Sequence, residues 1–164
     1  MIFYPNKYIK SVQKITIEYL RENNIKALLL DVDNTLIDFN KNIQEGTKQW
    51  CESLKKEGIK FCILSNSNHE EKVKMVSEKL GIHYIFFAMK PLKKGYQKAL
   101  DYIKEKPENV AMVGDQIFTD IIGANRMKIK SILVEPIEEK DILITRIKRP
   151  IENFVINRYK KSIK

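Results

Sequence analysis

The chain is 164 residues long, 43% hydrophobic and 31% charged, enough for one domain with a sizeable core and too short for two ordinary ones. No stretch approaches the roughly 18 consecutive apolar residues of a membrane span, and Met1–Pro5 lack the basic start and apolar run of a signal peptide, so a cytoplasmic protein is expected. The formal charge of +9 sits at the ends: residues 1–26 carry five basic and two acidic side chains, 141–164 seven and two, and 27–140 eighteen and seventeen.

In chain order, Tyr8, Val12, Ile15, Tyr19 and Leu20 fall at helical spacing and predict a helix over 7–24, ended by Asn23-Asn24. The apolar run Ala27-Leu28-Leu29-Leu30 predicts a buried strand, followed at once by Asp31-Val32-Asp33-Asn34-Thr35-Leu36. A helix is expected near Glu45–Glu57, stopped by Gly58, then a strand Ile59–Leu64 ending at Ser65-Asn66. Next come a helix near Glu70–Leu80 closed by Gly81, a short strand Tyr84–Phe87 leading to Lys90-Pro91, and a helix from about Leu92 to Lys104. The strand Asn109–Val113 ends at Gly114-Asp115. A helix near Phe118–Arg126 and a strand Lys130–Val134 complete the series. Five strands alternating with helices predict a parallel sheet covered on both faces, a three-layer Rossmann-like α/β architecture. Trp50 and the pair Phe86/Phe87 are expected in the core. Cys51 and Cys62 show no metal-ligand spacing and, with only two histidines, point to packing and away from zinc.

In such sheets ligands bind beyond the carboxyl ends of the strands, and that is where the polar motifs fall. Asp31, Asp33 and Thr35 follow the first strand of the series, Ser65 the second, Lys90 the third, and Asp115 with Asp120 the fourth. The strings LLLDVDNTL, CILSN, AMKP and VGDQIFTD, with Gly123-Ala124-Asn125-Arg126 after them, resemble the haloacid dehalogenase superfamily. Within it they are similar to the YqeG-type (subfamily IIIA) phosphatases, over roughly residues 25–135. The resemblance implies a magnesium-dependent phosphomonoesterase with no cap domain. Only eight residues separate Leu36 from Glu45 and twenty-four separate Ser65 from Lys90, too few for an inserted lid.

On this reading Asp31 is the nucleophile that forms an aspartyl phosphate, and it also ligates the metal. Asp33 gives a proton to the leaving oxygen and then takes one from water; the resemblance adds that its backbone carbonyl reaches the metal. Asp115 is a further carboxylate ligand, a donor type that suits magnesium, and Asp120 stands behind the ligands and orients water. Lys90 offsets the carboxylates and the phosphate. Ser65 and the backbone around Asn66 grip phosphate oxygens at a helix start, while Thr35 fixes the nucleophile loop beside the phosphate.

An open site suggests a bulky substrate or a partner subunit acting as lid. The YqeG-type family is similar to mitochondrial phosphatases of phosphatidylglycerophosphate, which implies a lipid phosphate and a place on the inner face of a membrane. After Pro150, Ile151, Phe154, Val155, Tyr159 and Ile163 fall at helical spacing among basic residues. That helix either packs its apolar stripe on the domain, the expected arrangement, or lies on an anionic membrane. Two other readings stay open: a phosphatase of nucleic-acid ends drawn by the basic termini, and a non-enzymatic phospho-acceptor module.

Overall fold

The structure, a computed structural model, describes the backbone of residues 1–138 and 143–163 and the side chains of 1–138 and 150–163. Its strands are β1 (Lys7–Ile9), β2 (Ala27–Leu30), β3 (Lys60–Leu64), β4 (His83–Ile85), β5 (Val110–Gly114) and β6 (Lys130–Val134). The helices are α1 (Ile17–Glu22), α2 (Thr47–Lys56), α3 (Glu70–Leu80), α4 (Lys93–Ile103), α5 (Ile122–Arg126) and α6 (Leu143–Ser162). The strands form one sheet in the order β1-β6-β5-β2-β3-β4, and every neighbouring pair is parallel.

Successive strand side chains point to opposite faces, and each face has its own helices. Leu28 and Leu30 of β2 join Phe61, Ile63, Ala111 and Val113 against Trp50 and Leu54 of α2 and Val73, Val76 and Leu80 of α3. Ala27 and Leu29 join Cys62, Leu64 and Met112 against Tyr96, Ala99, Leu100 and Ile103 of α4. All four residues of β2 are fully buried, which is why the sequence there is an unbroken apolar run. Gly58 and Gly81 end α2 and α3 with φ of 86° and 63°, a left-handed geometry that glycine adopts without strain.

The sheet has six strands, not five, and the extra one corrects the first element. Lys7–Ile9 is a strand that pairs with β6. The helix expected over 7–24 is reduced to a short 3-10 turn at Val12–Lys14 and to α1, whose Thr16 side chain accepts a hydrogen bond from Tyr19 N. Val12, Ile15 and Leu20 are buried, but the open edge of β6 captured the backbone before them. β4 is His83–Ile85 and does not extend to Phe87. No inserted domain follows β2: between Leu36 and α2 the chain makes a tight loop bridged at Ile37 and Ile43.

α6 starts before Pro150 and carries it inside. Its inward face is made by Val155 and Ile156, packed with Ile117, Ile121 and Leu133, and by Tyr159, whose ring meets Tyr4 edge-on at 5.7 Å. Ile151, Phe154 and Ile163, expected in the same stripe, are exposed, and Glu152 is buried in their stead. Among the described residues no helix is long and apolar enough to cross a membrane.

Candidate active site

From β2 the chain goes to β3 and β4 on one side, then crosses back to β5 on the other. In open parallel sheets the strand ends at such a reversal are where ligands bind, and a crevice is expected there. Asp31 enters it directly from β2, with its N–H donating to Val113 O of β5 at 2.9 Å. Asp115 enters from the end of β5. Asp120 comes from a π-helical turn, Ile117–Ile121, that precedes α5.

Ligand oxygens of Asp31, Asp115 and Asp120 lie within 4.8 Å of one another, and all three residues are buried. Lys90 holds two of them: its Nζ donates to Asp31 Oδ1 at 2.9 Å and to Asp120 Oδ1 at 2.7 Å, with 1% of its side chain exposed. Burial pulls the Lys90 ammonium down, but the carboxylates of Asp120 and Asp31 together hold it above the ordinary lysine value. Asp31 is pushed well above the carboxylate range by burial and by Asp120 and Asp115, with Lys90 pulling the other way. Three carboxylates gathered this closely are a hard-oxygen donor set. A divalent cation that prefers oxygen ligands fits it.

The loops are built to hold this arrangement. A Cβ on Gly114 would overlap the Asp120 carboxylate, and one on Gly95 would overlap the backbone of Ala88 in the Lys90 loop. Asp120 Oδ2 accepts from Gln116 N at 3.1 Å. The buried Tyr96 hydroxyl donates to Thr119 O at 2.9 Å and lies 3.1 Å from Asp120 O, which steadies the same turn from below. Burial, then the charges of Asp120 and Asp31, hold that phenol well above its ordinary pKa, so it remains a donor.

The other expected residues are placed unevenly. Thr35 is buried, and its hydroxyl points to Asp115 Oδ1 at 3.5 Å. Ser65 is buried and its Oγ accepts from Ser67 N at 3.2 Å, five residues before α3 begins, so it is not itself at a helix start. Asn66 uses both ends of its side-chain amide on the Lys90 peptide, with Nδ2 donating to Lys90 O at 2.9 Å and Oδ1 accepting from Lys90 N at 2.7 Å. Its side chain therefore positions the lysine. The Asp33 carboxylate stands apart from the buried cluster, half-exposed and paired to Lys72 of α3 at 2.7 Å. Asp120, expected behind the metal ligands, belongs to the carboxylate trio itself.

Sequence reasoning missed Lys72, Tyr96 and Asn34. Asn34 takes φ 61° and clasps the segment after β6, donating to Glu138 O and accepting from Glu138 N. The signal for Asn34 was there, since asparagine tolerates the left-handed region; Lys72 and Tyr96 carry no local mark.

Residues 42–128 match the model of the haloacid dehalogenase-like hydrolases. The probable phosphatase YqeG of Bacillus subtilis is 38% identical over 98% of this chain and 93% of its own length. Phosphatidylglycerophosphate phosphatase 1 of Arabidopsis thaliana is 25% identical over 88% of this chain, which spans 45% of that protein. Glyceraldehyde 3-phosphate phosphatase of Pyrococcus furiosus is 26% identical over 79%, spanning 56% of that enzyme. With the parallel sheet and the buried carboxylates at its strand ends, these matches establish that the chain belongs to the haloacid dehalogenase-like hydrolases and to their phosphatases.

Proposed function

We propose that the chain hydrolyses phosphomonoesters through an aspartyl phosphate on Asp31, with magnesium as its ion, and that its substrate is a lipid phosphate of the phosphatidylglycerophosphate kind. The observation that carries the reaction is the buried trio Asp31, Asp115 and Asp120 held by one lysine. The trio would hold the ion, with the Asp33 carbonyl as a further donor, and the ion would supply positive charge beside the phosphoryl oxygens.

Asp31 attacks phosphorus from the end of β2, and the bond from phosphorus to the ester oxygen breaks. Asp33, at the solvent side, gives its proton to that oxygen. After the alcohol leaves, Asp33 takes a proton from the water that attacks phosphorus, and inorganic phosphate departs with Asp31 restored. Ser65 Oγ and the Asn66 backbone N–H, from the end of β3, and Lys90 Nζ would hold the phosphoryl oxygens. Lys90 also opposes, in part, the protonation of Asp31 that burial favours. Thr35 holds Asp115, and through it the geometry of the crevice.

The lipid assignment is supported by the loop after β2, too short to enclose the rest of a substrate, and by the kinship with a phosphatidylglycerophosphate phosphatase. Phosphate release from phosphatidylglycerophosphate, glyceraldehyde 3-phosphate, nucleotide and 5′-phosphorylated oligonucleotide is the test, with magnesium and with chelator. The expected result is magnesium-dependent release, highest on the lipid and absent in Asp31→Asn. Highest turnover on the triose phosphate would remove the lipid assignment, and turnover unchanged in Asp31→Asn would remove the mechanism.

A further inference from the structure

The loop that delivers Lys90 has a second character. Phe87, Met89 and Leu92 are 56%, 40% and 53% exposed, three large apolar side chains within six residues on one loop. Sequence alone places Phe87 in the core; the structure turns it out. Phe87 and Met89 hold φ of 48° and 54°, a region that bulky residues avoid and keep only where surrounding contacts impose it. Those contacts belong to the active site: Phe87 N donates to Ser67 O at 2.8 Å, Ala88 N to Ser65 O at 2.9 Å, and Asn66 grips the Lys90 peptide. The apolar side chains are thus stapled, pointing outward, to the loop expected to hold the phosphate.

Beside them lies a surface groove of about 220 Å³ lined by Phe87, Met89, Lys94, Gly95 and Lys98. Lys93 and Lys94 occupy the first turn of α4, which has no acidic residue there and no basic residue in its last turn. That is the reverse of what the helix dipole favours, so these lysines do not serve the helix. None of Lys93, Lys94 and Lys98 has an ion pair among the described residues. Exposed apolar side chains ringed by unpaired lysines match the two layers of an anionic bilayer surface, acyl boundary and headgroups.

The basic C-terminal end sits elsewhere. The Tyr159 hydroxyl reaches Asn6 O, just before β1, and Asn125 Nδ2 donates to Ile2 O. Both mark the amino ends of the parallel strands, away from the carboxylates. Lys160 is laid over the Tyr8 ring at 4.4 Å. A bilayer met through Lys160 would lie at the β1 edge of the sheet, three strands from the β2 end that carries Asp31.

We infer that the segment Phe87–Leu92, with Lys93, Lys94 and Lys98, is the surface by which this protein docks on an anionic bilayer, setting the crevice against the headgroup layer. This rests on the lipid-phosphatase reading for its purpose, and its test is independent of it. Sedimentation is measured with vesicles of phosphatidylcholine mixed with phosphatidylglycerol, against pure phosphatidylcholine. The proteins are wild type, Phe87→Asn/Met89→Asn/Leu92→Ser and Lys93→Gln/Lys94→Gln/Lys98→Gln. Asparagine tolerates the left-handed backbone, so the apolar variant is expected to melt no lower than wild type.

The apolar variant should lose vesicle affinity by about tenfold or more while its hydrolysis of p-nitrophenyl phosphate stays within about twofold. The lysine variant should lose the preference for anionic vesicles and its salt dependence. Wild-type protein that does not sediment overturns the inference, as does an apolar variant that binds like wild type. A wild-type dimer in light scattering that the apolar variant dissociates overturns it in favour of a second copy of the chain. If wild type sediments but hydrolyses no ester, the enzymatic reading fails and the docking surface stands.

Discussion

Asp31→Asn is expected to make the metal-free protein more stable while abolishing its activity. At an effective dielectric constant of about 20, like charges no more than 4.8 Å apart repel by at least roughly 3.5 kcal/mol. Asp31 has two such neighbours, Asp115 and Asp120, against one attraction to Lys90 at 2.9 Å worth roughly 6 kcal/mol. The amide keeps an acceptor for Lys90 and removes both repulsions. The net gain is on the order of 1–2 kcal/mol, or roughly 2–8 °C in Tm for a chain of this length. The pH dependence has a definite sign. A carboxyl held above its ordinary pKa contributes stability that is complete below about pH 4 and is lost as pH rises through its folded value. In chelator, the advantage of Asp31→Asn should therefore be small in acid and grow toward neutrality. Magnesium at about a hundred times its Kd should raise wild type by roughly 2.7 kcal/mol, and the variant by less, so that the gap closes. Thermal melts by circular dichroism, in chelator and in magnesium across this pH range, read all of this. A variant that melts below wild type in chelator at neutral pH would refute the reasoning, because the trio would then not be under charge strain.

Cys51 and Cys62 are buried, and burial pushes both thiols up to about 12; at pH 8 they should react with a disulfide reagent only as fast as the protein unfolds. Their raised values also mean that stability complete below about pH 9 is lost as pH climbs toward 12, visible as a falling denaturation midpoint. Gly114→Ala should cost about 1–3 kcal/mol by overpacking and lose most activity even where the protein remains folded, since the new methyl displaces the Asp120 carboxylate; near-normal turnover would contradict the placement. Asp33→Asn breaks only a half-exposed pair with Lys72, so its Tm should move by less than about 2–4 °C, while kcat drops by roughly 10²–10⁴. A variant with unchanged kcat would remove Asp33 as the proton carrier.

The docking surface and the basic tail show why charge counted along a sequence differs from charge placed in space. The largest basic excess is near the C-terminus, yet the lysines beside the crevice come from α4, in a stretch of nearly balanced charge. Lys160 is held on Tyr8 and the tail runs toward the amino ends of the strands.

Much of this protein is local in origin, and the sequence by itself determined that part. The buried run of β2, the glycines after α2 and α3, and the polar residues at successive strand ends each follow from the backbone period or from chemistry within a few residues. They suffice for a parallel α/β sheet with Asp31, Ser65, Lys90 and Asp115 on one edge. Tertiary structure alone decided what depends on partners far along the chain. β1 exists because β6, more than a hundred residues later, offers it an open edge. Asp120 joins Asp31 because one lysine reaches both, and Gly114 leaves room for it. Asn66 spends its amide on a peptide twenty-four residues away, and Phe87 faces outward because the loop beneath it is bonded to Ser65 and Ser67. Period and propensity tell which residues can be buried or extended, whereas the direction a side chain takes is set by long-range packing that no local window contains.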